Sequence, residues 1–223
     1  IGATGFGLMV AAEVAQKDAD IDLNGARVAV QGFGSVGAHA ASFLASKGAL
    51  LVAAADSRGT IANADGLDIG ALVALKQAGR HVTDLDDGEK MNADDIVGIE
   101  CDIWIPAARP DVIHSGNVDS LRTRLIVQGA NIGVTEQAEA SLAKRGILCI
   151  PDFIANAGGV ICAAVEYHGG TQNQAFHAIE EKIRINTSEM LERMHHENTL
   201  PRAAAVAMAE ERVRHAMQLR RWG

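Results

Sequence analysis

The chain has 223 residues, of which 48% are hydrophobic and 22% charged, with a net charge of −8 from 28 acidic and 20 basic residues. That length suits one large or two small domains with a substantial core, and the composition is that of a globular protein rather than a disordered one. The acidic balance argues against nucleic acid or an anionic membrane surface as partner, no run reaches the ~18 apolar residues of a membrane helix, and, with no basic segment followed by an apolar one visible, no secretory signal is expected.

Residues 4–17, TGFGLMVAAEVAQK, place Leu8, Ala11, Ala12 and Ala15 at the spacing of a helix with one buried face. The chain opens Ile1-Gly2-Ala3-Thr4 without an initiator Met, as expected of a fragment or a processed piece. Asn24-Gly25 breaks the helix, and the stretch 27–37, RVAVQGFGSVG, follows. Its β-branched start predicts a strand over 27–31, and the residues after the glycines predict a helix over 35–46. A second apolar run, 49–55, is continuous, as in a strand covered on both faces. Asp56-Ser57-Arg58-Gly59 ends it.

Asp65 or Asp68 opens a further helix with Ile69, Leu72, Val73 and Leu75 apolar, stopping at Gly79. The polar, acidic stretch 81–100 reads as a solvated loop with a short helical pattern over 93–97. Strands are predicted at 102–105, 125–127 and 147–150, with a helix over 135–145. Strands alternating with helices indicate a parallel sheet of βαβ units. After Pro151 only helical patterns remain, over 160–168, 171–195 and 202–221, the last with Pro201 near its first turn. Its Arg212, Arg214, Arg220 and Arg221 are expected on an exposed face.

The chemistry starts at Gly32, Gly34 and Gly37. The spacing G-x-G-x-x-G gains meaning between a strand and a helix. Gly32 permits the tight turn, Gly34 lets the backbone approach a pyrophosphate, and Gly37 lets helix and strand pack closely. The N-terminus of the helix then faces the phosphates. Asp56, 24 positions after Gly32, closes the next strand, where a carboxylate accepts hydrogen bonds from an adenosine ribose. A plain glycine turn with an unrelated acid would carry the same letters. The charge of Asp56 opposes a 2′-phosphate and leans slightly towards NAD, whereas Arg58 would favour NADP. The later predicted strands end in Pro106-Ala107-Ala108, Gln128-Gly129-Ala130-Asn131 and, beyond 150, Asn156-Ala157-Gly158-Gly159. Ligands of open parallel sheets bind at such strand ends. Asn131 and Asn156 each offer a donor and an acceptor to a carboxamide, and each is equally a common turn former or cap.

Cys101, Cys149 and Cys162 sit in apolar surroundings without metal-ligand spacing, as in a reducing, cytoplasmic setting. No metal is expected. His114, His168, His177, His195 and His196 read as surface or packing residues. Tyr167, the only tyrosine, has no Lys at the fourth following position, which counts against a short-chain dehydrogenase.

The segments ATGFG (3–7), VQGFGSVG (30–37), DSRG (56–59), IPAA (105–108), QGAN (128–131) and PDFIANAGGV (151–160) together resemble, in order and spacing, the C-terminal cofactor-binding domain of the glutamate/leucine/phenylalanine/valine dehydrogenases. The glutamate type is the nearest, and the terminal Arg221-Trp222 resembles the family's last helix. The resemblance implies a single NAD(P)-binding, Rossmann-type domain over 1–223. Its parts would be an N-terminal helix to about residue 18, an α/β core over 19–155 and C-terminal helices over 156–223. It implies Thr4 near the nicotinamide, the loop Gly32-Phe33-Gly34-Ser35-Val36-Gly37 on the pyrophosphate, and Asp56, Ser57 and Arg58 about the adenosine ribose. Ala107 and Ala108 would line the groove, with Asn131 and Asn156 on the nicotinamide side.

Gly159, Val160 and Ala163 would border the substrate. Ala163 stands where many glutamate-type members have Ser, so an apolar amino acid is the alternative substrate. QGAN replaces the commoner EGAN. The implied reaction is oxidative deamination of an amino acid to a 2-oxo acid and ammonia, with NAD or NADP as cofactor. The catalytic Lys and Asp would lie in an N-terminal substrate domain absent from these residues, since Lys17, Lys47 and Lys76 lack the family's catalytic setting. Expected partners are the small-molecule substrate and, at full length, further copies in a homo-oligomer. A non-catalytic dinucleotide-binding module is the rival reading.

Overall fold

The computed structural model describes residues 2–219. In chain order the elements are α1 (Ala3–Ala15), β1 (Arg27–Gln31), α2 (Ser35–Ala45), β2 (Leu50–Asp56), β3 (Gly59–Ala62), α3 (Ile69–Gln77), β4 (Glu89–Met91), β5 (Ile103–Pro106) and β6 (Leu125–Val127). Then come α4 (Glu136–Lys144), β7 (Leu148–Ile150), α5 (Asp152–Ala155), α6 (Gly158–Tyr167), α7 (Gln172–Glu197) and α8 (Pro201–Leu219). The seven strands form one sheet in the order β4-β3-β2-β1-β5-β6-β7. β1 pairs in parallel with β2 on one side and β5 on the other, and β6 and β7 continue the parallel set. The chain therefore reverses its winding direction across β1, the switch point at which α/β sheets open a crevice.

β3 and β4 correct the sequence reading. Asp56 to Gly59 does not send the chain away from the sheet: Ser57 and Arg58 turn it back, and β3 pairs antiparallel with β2, with Asp56 opposite Gly59. β4, inside the stretch expected as a loop, adds antiparallel to β3. Its residues Glu89, Lys90 and Met91 are intermediate or exposed, so no apolar alternation marks it and backbone pairing at the sheet edge holds it. The pattern over 93–97 forms a short 3₁₀ turn, Ala93–Gly98. The short helix α5 is not anticipated by the sequence; the remaining elements lie within a few residues of their predicted bounds, with Asp68 rather than Asp65 capping α3 by accepting from the Ala71 N–H at 3.0 Å. Thr135 caps α4 in the same way. The basic residues Arg212 and Arg214 lie on α8 and pair with Glu189 and Glu210. Arg220, Arg221 and Trp222 lie outside the described residues.

Strand alternation divides the core into two layers. Val28, Val30, Ile103 and Ile105 face a layer completed by Leu8, Leu44 and the α7 residues Ile179 and Ile183. Ala29, Trp104, Ile126 and Cys149 face the other, with Ile96, Leu142 and Ile147. Register places those four side by side across β1, β5, β6 and β7. The small Ala29 thus sits beside the fully buried Trp104, whose Nε1–H donates to the Ile96 carbonyl at 3.2 Å. On the first layer, edge-to-face contacts of Phe6 with Phe43 (5.2 Å) and with Phe176 (4.8 Å) tie α1, α2 and α7 together. α7, 26 residues long, lies against α1 and ends at Asn198 in the left-handed conformation. No described helix is long and apolar enough to cross a membrane.

Candidate dinucleotide site

Four strand ends meet at the carboxyl edge of the sheet. After β1, Gly32 takes φ +96°, and its N–H and that of Phe33 both donate to the Ala55 carbonyl of β2. A Cβ on Gly32 would stand 2.5 Å from the Ala108 Cβ, so the glycine loop lies directly against the segment that follows β5. The Pro106 carbonyl accepts from the N–H groups of Gly129 and Ala130, which joins that segment to the loop after β6. A Cβ on Gly129 would meet Leu8 at 3.0 Å and Val36 at 3.3 Å, bringing this loop back to α1 and α2. The first turns of α1 and α6 also touch, since a Cβ on Gly159 would lie 3.0 Å from the Thr4 hydroxyl.

The three glycines of the loop differ in what surrounds them. Gly37 is buried, and a Cβ there would meet the Gly32 carbonyl at 2.2 Å and Val30 at 2.7 Å, so helix and strand require its absence. Gly34, exposed and extended (φ −92°, ψ −158°), caps α2 and has nothing within 4 Å of its missing Cβ. An open approach to the free N–H groups of a helix is what a pyrophosphate needs, and the geometry fits one. Ser35 is exposed and Val36 partly so, whereas the Phe33 side chain is buried in the core and offers the loop only its backbone.

Asp56 is not free. Its Oδ2 accepts from Lys76 Nζ at 2.7 Å and from the Val82 N–H at 3.1 Å, with His81 Nδ1 3.4 Å away. Its Oδ1 accepts from the Arg58 N–H at 2.9 Å. Burial raises the Asp56 pKa, but Lys76 and the two N–H groups outweigh it and hold the carboxyl below its ordinary value. The Arg58 and Ser57 side chains stay exposed. The sequence names Lys76 only as a lysine without a catalytic setting; its pairing with Asp56, twenty residues away, is made by α3, which brings it to β2. The only available signal was its place in the last turn of that helix.

Asn131 and Asn156 act as a pair. Asn156 Nδ2 donates to Asn131 Oδ1 at 2.7 Å. That leaves Asn131 Nδ2 as a donor and Asn156 Oδ1 as an acceptor, one of each, the complement of a primary carboxamide. Ala107 is half-buried and Ala108 exposed beside the glycine loop, while Val160 and Ala163 are exposed on α6.

A further cavity of about 510 Å³, which the sequence reading did not anticipate, lies between the 3₁₀ turn after β4 and the loop after β5. Gln31, Arg109, His114 and Asn117 line it, and Gln31 Oε1 is buried without a protein partner. The thiols of Cys101 and Cys149 are buried, and burial pushes Cys101 up to about 12 and Cys149 further still, so neither is a nucleophile at neutral pH.

Residues 1–221 match the sequence model of the family described as glutamate/leucine/phenylalanine/valine dehydrogenase. The chain is 38% identical to the glutamate dehydrogenase of Aeropyrum pernix, covering all of this chain and 56% of that one. It is 33% identical to the NADP-specific glutamate dehydrogenase of Saccharolobus shibatae, covering 97% of this chain and 53% of that one. Among solved structures, the hetero-hexameric glutamate dehydrogenase of Thermus thermophilus (Leu-bound form) superposes with a TM-score of 0.88 at 27% identity, over all of this chain and 54% of that one. The chain thus spans about half the length of the curated relatives it matches. A family match from residue 1 to residue 221 settles the assignment: the chain belongs to the glutamate/leucine/phenylalanine/valine dehydrogenase family.

Proposed function

We propose that this chain is the dinucleotide-binding half of an NAD(P)-dependent amino-acid dehydrogenase of the glutamate type. The observation that carries this reading is the open Gly34 at the N-terminus of α2, on a loop that lies against Ala108, whose segment is joined through Pro106 to the loop carrying Asn131 and, through Asn131, to Asn156. The α2 N-terminus binds the pyrophosphate, the Asp56 region meets the adenosine ribose, and the Asn131–Asn156 pair orients the carboxamide. Thr4 and Gly159, in contact across α1 and α6, close the nicotinamide end, and the exposed α6 positions Val160 and Ala163 border the amino acid. A nicotinamide cofactor held there would supply the hydride acceptor for the α-carbon of the amino acid, and the iminium so formed would be hydrolysed by water to a 2-oxo acid and ammonium.

By the family resemblance, the catalytic Lys and Asp belong to the half of the relatives' length that these residues do not match, so the chain alone binds without turnover. At full length it works as a homo-oligomer. Either nicotinamide cofactor fits. Asp56 disfavours a 2′-phosphate, but Lys76 offsets its charge and leaves only a slight lean to NAD.

An alternative specificity rests on Ala163, which gives α6 no hydroxyl for a substrate carboxylate. The test has two stages. Calorimetric titration of the 223-residue chain with NADH and NADPH should show saturable binding of at least one, and no binding of either overturns the reading. A full-length protein carrying the chain is then assayed with glutamate, leucine, phenylalanine and valine. Turnover of an apolar substrate with none of glutamate would replace the glutamate assignment with the Ala163 one.

A further inference from the structure

The segment from Gln128 to Val134 carries Asn131 and is itself strained. Ile132, a β-branched residue, takes φ +54°, in the left-handed region that such side chains avoid. A residue stays there only when its surroundings dictate it. Those surroundings form a closed ring of polar contacts. Asp152 Oδ2 accepts from the Ile132 N–H at 2.8 Å, and Asp152 Oδ1 accepts from Arg202 Nη1 at 3.0 Å. The same guanidinium meets the Glu139 carboxylate through Nε (2.7 Å to Oε2) and Nη2 (2.7 Å to Oε1). Glu139 Oε1 also accepts from Gln128 Nε2 at 2.8 Å, and Gln128 Oε1 accepts from the Val134 N–H at 3.2 Å. Both ends of the segment therefore lead to one side chain, and that side chain belongs to α8, the last of the described helices.

The ring is buried and has one cation for two acids. Gln128 is fully buried, the Glu139 and Asp152 side chains are below 10% exposed, and the Arg202 side chain is 25% exposed. Gln128 can donate to Glu139, which a carboxylate at that position could not do, so the Gln of QGAN is part of the ring's chemistry. Arg202 also lies 5.7 Å from the Phe153 ring, next to Asp152. A planar guanidinium holds one carboxylate bidentately while directing a further N–H at a second; an ammonium, a compact point charge with three rotatable donors, imposes no such fixed fork.

We propose that Arg202 is a positioning residue for the nicotinamide end of the groove: through Glu139–Gln128 on one side and Asp152–Ile132 on the other, it sets the segment that presents Asn131 to Asn156. The inference rests on the reading of that pair as the carboxamide site. It makes α8 a part of the cofactor apparatus although Arg202 need not touch the cofactor.

The test compares Arg202→Lys and Arg202→Met in the 223-residue chain. Arg202→Lys keeps one positive charge among the acids and is the variant expected to remain folded. Two readouts are taken: the side-chain amide resonances of Asn131 and Asn156 without ligand, and the affinities for NADH and for ADP-ribose, which lacks the nicotinamide. In Arg202→Lys the two amide pairs should shift, with NADH binding weakened about five- to ten-fold and ADP-ribose within two-fold of the unaltered chain. Amide resonances that stay in place overturn the proposal, as does an equal loss of both ligands, which would mark Arg202 as a general support of the fold. If the unaltered chain binds ADP-ribose and NADH alike, and Asn131→Ala changes neither, the carboxamide reading fails instead. The amide resonances then still decide whether Arg202 sets the segment.

Discussion

Gly34→Ala and Gly37→Ala place the same methyl group three residues apart and should have opposite consequences. At Gly34 the backbone is extended and the new Cβ meets nothing within 4 Å. Alanine caps a helix less well than glycine by roughly 0.5–1 kcal/mol, and reduced freedom of the unfolded chain returns about 0.4–1 kcal/mol. The two nearly cancel, so the melting temperature should move by no more than ~2 °C. At Gly37 the Cβ would lie 2.2 Å from the Gly32 carbonyl and 2.7 Å from Val30, neither of which can swing away. Overpacking of that kind costs about 1–3 kcal/mol, a fall of roughly 3–10 °C for a chain of this size.

Binding should separate the two further. The Gly34 methyl occupies the approach to the α2 N-terminus, and losing one charge-assisted contact there costs about 1.5–3 kcal/mol, or roughly a 10- to 100-fold weaker Kd. Because the pyrophosphate is common to them, NADH, NADPH and ADP-ribose should all lose affinity together. Calorimetry and thermal unfolding by circular dichroism on the two variants decide the matter. A Gly34→Ala chain that binds within two-fold of the unaltered one, or that melts as low as Gly37→Ala, would refute the assignment of that opening to the pyrophosphate.

Lys76→Met should release the charge of Asp56 while leaving its bonds from Arg58 and Val82, so the ratio of NADPH to NADH affinity falls about five-fold, the scale of a partly screened charge pair near 1 kcal/mol. A ratio unchanged in paired titrations would remove Lys76 from cofactor choice. Glu13 accepts from Lys47 and Arg184 at 2.7 and 2.6 Å, and the Lys47 hydrogen bond in particular, against the opposing effect of burial, holds its carboxyl below the ordinary 4.5. With the folded pKa depressed, the unfolded chain takes up the proton first. The stabilisation is complete above about pH 4.5 and is lost as pH falls through the folded value. Glu13→Gln should therefore lower the melting temperature at neutral pH and flatten its decline in acid. Parallel melting curves against pH for the two proteins would show that the pair contributes nothing.

Much of the groove is local chemistry and can be read from the residues in line. The run Val28-Ala29-Val30 before Gly32, the Gly37 that helix and strand need, and the apolar runs that became β5, β6 and β7 all depend on neighbours within one strand–turn–helix unit. Their periodicity is a direct consequence of burial. Other features have no local cause. β4 is held by backbone pairing to β3 and carries no apolar pattern, so a polar stretch became the edge of the sheet. Phe33, in the middle of the glycine loop, turns its ring into the core, and only its backbone remains for the loop.

The same division runs through the site. That residues 32–37 form a glycine loop between a strand and a helix, and that Asp56 and Asn131 follow strands, was legible in the sequence alone; Asn156, expected directly after the last strand, instead closes the short helix α5. That Asp56 is already engaged by Lys76, that the two asparagines share one hydrogen bond, and that Arg202 closes a ring behind them was decided by tertiary structure. The partners are 20, 25 and 50 residues apart, and only the tertiary placement of α3, α5 and α8 fixes which polar groups are brought together and which remain available. A donor or acceptor is a property of the residue; whether it is still free is a property of the fold.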